Sequence, residues 1–512
     1  MRPIEILLVV ANLLTFFVLV IPPLRAVRWM GYAALIALLI AGMQVLVEGY
    51  RWQMIAAYAL SGLLFLVWLR QTIVPAGTAL GGGLDNRLAA GLAIGLGVLA
   101  LAVSIVLPIV LPVFRFPPPT GPYAIGTLTY HWVDAGRGEV FTADPGDRRE
   151  LMVQIWYPAE EDRSSPRAPY IQDADAVTSA FARLFHVPEF LLGNLKYVTT
   201  NAIPSAPVAA PMADDEPGYP VLIYLEGLGT FRQMNTFLVE ELVSHGYVVV
   251  AIDQPYTATD VVFPDGRQAE GLPTERTKPL ALQSFLPAER APTLNGRTFQ
   301  EGSVPYLAQD VSFALDQLAV LNQADPNGIL TGRLDLQRAG TFGPSLGGLV
   351  GGEACRLEPR LRACLMLDAP MSTDVVRSGL QQPAMWITRD ADAMRLERRK
   401  VGGWPEAEIH AELSSNWAVF ERMPGDGYFV EVPGMFHINY SDIPSWSPLW
   451  RLLGLAGPID VQRAHSIINA YSLAFFDHEL KGRPAELLDG LLEHYPEVVF
   501  ATRRPQSTAA NP

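Results

Sequence analysis

The chain is predicted to be an α/β protein, a mostly parallel sheet with helices on both faces, carried behind an α-helical membrane segment. Three observations predict this. Apolar residues crowd into long uninterrupted runs before Arg115. After Phe116, short runs rich in β-branched residues alternate with stretches of helical spacing. A serine flanked by glycines stands where one such strand meets one such helix.

The membrane segment comes first. Ile4–Pro22, Trp29–Val47, Gln53–Leu69 and Leu88–Val113 are apolar runs, each near the 17–25 residues a helix needs to cross a bilayer. Charges fall between them, at Arg25 and Arg28, Glu48 and Arg51, Arg70 to Arg87, and Arg115. Trp29, Tyr50, Trp52 and Trp68 lie near run ends, where amphipathic rings favour the interface. A cleaved signal peptide ahead of buried core helices would account for the first run only. Residues 1–115 are therefore expected to be a four-helix transmembrane domain. Four crossings place the N-terminus and everything after Arg115 on one side. The first and third loops carry Arg25, Arg28, Arg70 and Arg87, against Arg2, Arg51 and Arg115 opposite. Positive charge favours the inside, so the C-terminal part is expected to be extracytoplasmic.

The whole-chain charge excludes some partners. A net charge of −14 and a pI near 5.1 argue against nucleic acid. No basic stripe is present to grip anionic lipid. The two cysteines, Cys355 and Cys364, fall on a predicted helix and the strand after it. They are expected to be buried free thiols, with a disulfide as the alternative in an oxidising compartment. Neither paired-cysteine zinc spacing nor a His-Glu-x-x-His helix occurs, so no metal and no cofactor are expected.

Residues 116–500 are expected to form the catalytic domain and 501–512 a disordered tail. "FPPPTGPY" ends any helix at Phe116. "AIGTLTYHWVD" and "RELMVQIWYPA" are predicted to be two antiparallel strands. "YPVLIYLEG" and "YVVVAIDQP" are continuous apolar runs, as in strands buried on both faces. The helix "FRQMNTFLVEELVSHG" lies between them. Tyr306–Gln323 has helical spacing, "RAGTFG" is a strand and "LGGLVGGEACRL" a helix. "RACLMLDAP", "PAMWITRD" and "GYFVEVPGMFH" are further strands, and "DVQRAHSIINAYSLAFFDHEL" is a closing helix. This alternation predicts the parallel sheet. Glu160–Gly218, with a helical segment near Ala174–Tyr197, and the proline-rich Tyr256–Gly302 are expected insertions.

The chemistry is expected at Ser345, in "AGTFGPSLGG". A nucleophile on a sharp strand-to-helix turn needs small neighbours, which Gly343 and Gly347 supply. The helix start offers the Leu346 N–H to a developing oxyanion. The "YLEGLGTFR" turn after an earlier strand offers the Leu228 N–H as a second donor. Serine needs a base, and His437 follows a strand in "VPGMFHINYSD". The orienting acid is Asp368 in "LMLDAP", or Asp390 or Asp392 in "TRDADAM". The order Ser…Asp…His is that of α/β-hydrolases.

These segments together resemble the platelet-activating-factor acetylhydrolase family, plasma and isoform II type, from Phe116 to about Lys481. "TGPYAIGTLTYHW" with "VQIWYPA" is similar to its entry segment, "LEGLGTFRQMNTFLVEELVSHGYVVVAID" to its oxyanion segment, "GPSLGG" to its nucleophile, "LDA" to its acid and "HINYSD" to its histidine region. The resemblance implies an α/β-hydrolase fold, a catalytic triad of Ser345, Asp368 and His437, and oxyanion amides at Leu228 and Leu346. It also selects Asp368 over Asp390 and Asp392. It implies hydrolysis of short-chain or oxidised acyl esters, including sn-2 acyl phospholipids, drawn from the bilayer. Two positions depart from the family, where Glu226 and Pro344 stand in place of histidines; both are expected to line the site. The alternatives are a broad carboxylesterase or polyester hydrolase, and a silent membrane sensor or scaffold. A transporter is disfavoured by the scarcity of charge within the spans.

Overall fold

A computed structural model describes residues 1–25, 27, 30, 32–73, 84–211, 218–490 and 493–504. The chain divides into two compact units, one of Met1–Phe114 with Trp446–Leu449, the other of Arg115–Ser445 with Trp450–Pro512.

In the first unit the helices are α1 (Pro3–Val20), the single turn α2 (Pro22–Arg25), α3 (Ala33–Glu48), α4 (Ile55–Ile73) and α5 (Leu84–Val110). Three helical stretches, Pro3–Val20, Trp52–Ile73 and Leu88–Val110, are long and apolar enough to cross a membrane. The second expected span is shorter. Its helix α3 has 16 residues, a rise of roughly 24 Å, against a hydrocarbon core of about 30 Å. Trp29, at the start of that expected span, lies outside the described residues. Leu8, Ala41, Met54 and Ala57 from α1, α3 and the α4 region pack together, while Leu39, Leu46, Leu63 and Leu92 face outward.

The second unit is built on one ten-stranded sheet. Its strands are β1 (Ala124–Gly138), β2 (Arg148–Ala159), β3 (Ile203–Pro204), β4 (Tyr219–Leu225) and β5 (Val248–Asp253). Two small hairpins follow, β6–β7 (Val261–Val262, Gln268–Ala269) and β8–β9 (Thr293–Leu294, Arg297–Thr298). The sheet resumes with β10 (Leu334–Pro344), β11 (Leu361–Leu367), β12 (Ala384–Thr388), β13 (Gly427–Glu431) and β14 (Val499–Arg503). The order across the sheet is β14-β13-β12-β11-β10-β4-β5-β2-β1-β3. From β13 to β5 every neighbouring pair is parallel, and β2, β1 and β14 pair antiparallel with their predecessors or neighbours. Every residue of β4 and β5 is buried, as the apolar runs required of strands covered on both faces.

The helices of this unit are α6 (Ala174–Leu184), α7 (Thr236–Ser244), α8 (Thr274–Leu282), α9 (Val304–Gln323), α10 (Leu346–Leu357), α11 (Thr373–Ser378), α12 (Ala391–Val401), α13 (Glu406–Phe420) and, after the short α14 (Ile443–Trp446) and α15 (Leu449–Leu452) that straddle the division at Trp446–Leu449, α16 (Val461–Lys481). The chain runs from β4 to β5 in one direction, then returns past β4 to β10 and continues to β13 in the other. That reversal leaves a crevice at the carboxyl ends of β4 and β10, where open parallel sheets bind their ligands.

Two expectations are corrected. Residues 501–503, assigned above to the tail, lie in β14, which pairs with β13 from Glu431 opposite Val499 to Gly427 opposite Arg503. Residues 505–512 of that expected tail lie outside the described residues. Cys355 and Cys364 form a disulfide rather than two free thiols. The tight return from α10 into β11 brings their Cα atoms to 6.5 Å, within bridging range.

Candidate active site

The two loops at the reversal point face each other. β10 ends at Pro344, and Ser345 adopts φ 56° and ψ −122°, a conformation an L-residue keeps only when its surroundings over-determine it. Here the Ser345 N–H donates to the Leu367 carbonyl at 2.9 Å, and its own carbonyl accepts from Leu349 N–H at 3.0 Å. The turn is thus pinned both to β11 and to the first turn of α10. The glycines are required by contact. A Cβ on Gly343 would lie 2.4 Å from the Leu225 carbonyl oxygen, and one on Gly347 only 2.0 Å from it.

Leu225 ends β4, so the same packing presses the Glu226–Thr230 loop against the serine. A Cβ built on Gly227 would lie 3.6 Å from the Ser345 Cβ. The loop is held by Gly229 N–H donating to the Thr257 carbonyl at 2.7 Å and Thr230 N–H to the Gly227 carbonyl at 3.0 Å. Among the described residues, no hydrogen bond uses the N–H of Leu228 or of Leu346. Both residues line the cavity that contains Ser345, and Leu346 opens α10, where the helix dipole favours negative charge.

Asp368 follows β11, with φ 48° and its N–H donated to the Ile387 carbonyl at 2.8 Å. His437 opens a 3₁₀ turn (His437–Tyr440) beyond β13. The two meet: His437 Nδ1 lies 2.5 Å from Asp368 Oδ2. Burial works against the Asp368 charge, but the Arg389 cation and the imidazole hydrogen bond outweigh it and hold the carboxyl below its usual range. With Nδ1 bound to a carboxylate, the ring carries its proton there and leaves Nε2 as the acceptor. Ser345, Asp368 and His437 all line one cavity of about 370 Å³, whose walls include Phe185, Leu282, Phe285, Leu349 and Ile438.

The other candidate acids are engaged elsewhere. Asp390 caps α12, accepting the Ala393 N–H at 2.7 Å, and Asp392 pairs with Arg395 at 3.3 Å on the surface. Of the two departures, Pro344 lines the cavity and Glu226 does not. Glu226 is buried behind the loop, where its Oε1 accepts the Gln254 N–H at 2.8 Å. Burial, and then the Asp253 charge, push its carboxyl well above the usual range.

The sequence reading missed Arg389, Glu397, Trp404 and Glu412. Arg389 stands beside the acids in "TRDADAM", and a single arginine there belongs to no motif that marks it. The others lie on α12, α13 and their connection, a helical insertion between β12 and β13 with no motif to mark it.

Known proteins resemble this chain. The family model described as platelet-activating factor acetylhydrolase, isoform II, matches residues 109–493. Platelet-activating factor acetylhydrolase of Gallus gallus is 24% identical over 76% of this chain and 90% of its own. A probable 1-alkyl-2-acetylglycerophosphocholine esterase of Arthroderma benhamiae is 24% identical over 76% of this chain and 94% of its own. The solved structure of a ferulic acid esterase from Streptomyces cinnamoneus superposes with a TM-score of 0.57 at 28% identity, covering 76% of this chain and 99% of that one.

Proposed function

The chain belongs to the platelet-activating factor acetylhydrolase isoform II family of carboxylic ester hydrolases, and from that premise we propose a membrane-anchored serine esterase that works through an acyl-enzyme. Ser345 Oγ attacks the ester carbonyl while His437 Nε2 takes its proton. Asp368 orients the imidazole and stabilises the imidazolium. The tetrahedral oxyanion lies on the Leu228 and Leu346 amides. His437 then protonates the departing alcohol, and a water activated by the same nitrogen releases the acid. The observation that carries the reading is the buried Asp368 carboxylate bonded to His437 on the wall of the cavity that holds Ser345.

The substrate is a short-chain or oxidised acyl ester, including the sn-2 acyl group of a phospholipid. A cavity of about 370 Å³ with mostly apolar walls suits a compact acyl group, near the lower end of ligand-site volumes. The four N-terminal helices α1, α3, α4 and α5 cross the bilayer, α3 as a short span; its outward Ile36, Leu39 and Leu46 support that placement. The catalytic unit faces the extracytoplasmic side, which the disulfide supports because such bonds persist in oxidising compartments. A second reading, a broad esterase that accepts bulkier acids, is favoured by the likeness to ferulic acid esterase.

The test is hydrolysis of graded p-nitrophenyl esters, aryl-acrylate esters and sn-2 acyl phospholipids by the full chain and by Ser345→Ala, with fluorophosphonate labelling. Labelling at Ser345 and loss of all turnover in the variant are expected. Turnover retained by Ser345→Ala would end the mechanism. Aryl-acrylate esters outpacing acetyl esters would select the second reading.

A further inference from the structure

Asp368 has a second buried partner. Arg389, just past β12, donates its Nε–H to Oδ1 at 2.9 Å, and the same nitrogen lies 2.8 Å from Oδ2 in the ion pair. Its Nη1 pairs with Glu397 Oε2 on α12. That same Glu397 oxygen accepts the backbone N–H of His437 at 3.0 Å. Trp404 covers the group: the guanidinium carbon lies 4.5 Å from its ring centre, and the His437 ring packs against it at 4.8 Å in a T-shaped contact. The acid and the backbone of the histidine are thereby tied to one cation.

The charges need accounting. An arginine against the acid of a triad cancels the negative charge that an imidazolium requires. Glu397 supplies a replacement. The other ionisable groups facing the cluster are Glu412 and Glu408 on α13, Asp390 at the start of α12, and Tyr440. Burial, and then the Asp368 charge, push the Glu412 carboxyl up to about 8, so it is neutral at pH 7. Glu408 pairs with Lys278 at 3.3 Å, and Asp390 is spent on its helix cap. Burial raises the Tyr440 hydroxyl well above its usual range and keeps it neutral. The buried frame of Asp368, Arg389 and Glu397 thus carries one net negative charge for the histidine to face.

We propose that Arg389 and Glu397 form a paired positioning device, in which Arg389 fixes the plane of the Asp368 carboxylate and Glu397 restores the charge that Arg389 removes while holding the His437 backbone. It rests on the Ser345–His437–Asp368 reading. Neither residue touches the substrate. Their signature lies in the pH profile, because each alters the charge seen by a histidine that must be neutral to act as base.

The experiment measures kcat/KM for p-nitrophenyl acetate against pH with the full chain in detergent, alongside fluorophosphonate labelling. In Glu397→Gln the amide oxygen can still accept the backbone N–H, but Arg389 is left uncompensated. Its acid limb is expected to move to lower pH by about one unit or more. Arg389→Met strands Glu397, whose carboxyl burial already raises, so that limb stays at or above the wild-type position. The double variant removes one charge of each sign and returns the limb to the wild-type position. Glu397→Asp keeps the charge and leaves the limb in place. An unmoved limb in Glu397→Gln, or a double variant that fails to restore it, overturns the proposal. Should Glu397→Gln not fold, the double variant and Glu397→Asp decide, since displacement of either limb overturns it. Wild type that does not label at Ser345 refutes the triad reading itself, whereas labelled wild type with an unmoved limb in Glu397→Gln refutes this proposal alone.

Discussion

Replacing Gly347 by alanine tests the packing that places the two proposed oxyanion donors. The added Cβ would sit 2.0 Å from the Leu225 carbonyl oxygen, 2.6 Å from its carbonyl carbon and 2.9 Å from the Glu226 carbonyl oxygen. Contacts under 3.0 Å essentially never occur for a Cβ, so one side must retreat by about 1 Å. All three obstacles are backbone, and β4 is locked to β10 through the register that pairs Tyr224 with Phe342. The Glu226–Thr230 loop must therefore move away from Ser345. A misplacement of about 1 Å costs on the order of 100-fold in rate. Overpacking of this kind costs roughly 1–3 kcal/mol of stability, offset in part by the roughly 1 kcal/mol that alanine gains over glycine in a helix. The control is Gly351→Ala, one turn along α10. There the new Cβ meets Thr341 Oγ1 at 3.5 Å, an ordinary contact, so activity should be unchanged and stability equal or higher. The assay is kcat/KM on p-nitrophenyl acetate at a temperature where both variants are folded by circular dichroism, together with their unfolding midpoints. Gly347→Ala within threefold of wild type at an unchanged midpoint would refute this reasoning. So would equal damage from both substitutions.

Three further outcomes are expected. Removing the disulfide with Cys355→Ala and Cys364→Ala together should lower unfolding free energy by about 2–3 kcal/mol, from the loop of nine residues' separation that it closes; wild-type protein that reacts with maleimide before reduction would show that the bond is not formed. Glu412 should make stability pH-dependent. Its folded value of about 8 lies above the unfolded 4.5, so the folded state holds an extra proton between them and stability falls as pH rises through that window. Glu412→Gln removes this, by at most about 1.4 kcal/mol per pH unit, and denaturant titrations at pH 5 to 8 with parallel slopes in both proteins would count against it. The full chain should stay with membranes through an alkaline carbonate wash and be released only by detergent; release by carbonate would remove the anchor.

The main sheet was legible because its central strands are continuous apolar runs and its crossover helices keep helical spacing. Ser345 and His437 were legible because each follows a strand, and a parallel sheet gathers its strand ends at one rim; strand position left Asp368 level with Asp390 and Asp392, and the family resemblance made the choice. β14 escaped because it pairs at the edge: Val499, Phe500 and Ala501 are half-buried or exposed, and "VFATR" is too short to separate from a tail. The disulfide escaped because spacing alone does not say whether two thiols nine residues apart meet. α12 and α13 escaped for another reason. They are rich in charge, and the charges that matter, Glu397 and Glu412, are buried, Glu397 against Arg389 and the backbone of His437. Amphipathic patterning assigns such residues to solvent.

The buried charges also favour an acid after β11 over one after β12. The end of β12 does contribute to the site, but with a cation. Arg389 is turned inward onto Asp368, and the next residue, Asp390, turns outward to accept the Ala393 N–H in the first turn of α12. One helix start consumes one carboxylate, so an acid placed at 390 cannot also orient His437 without uncapping α12, a loss of about 1 kcal/mol. Moving the acid to 390 would also leave Arg389 buried without Asp368, with Glu397 as its remaining ion-pair partner among the described residues. Truncating one partner of a buried ion pair costs roughly 3–5 kcal/mol. The exchange Asp368→Asn should therefore lose both the base-orienting charge and a large share of stability, whereas Asp390→Asn, which still caps a helix, should retain activity and fold as wild type does. An Asp390→Asn variant as inactive as Asp368→Asn would place the acid at the other strand end and undo the assignment.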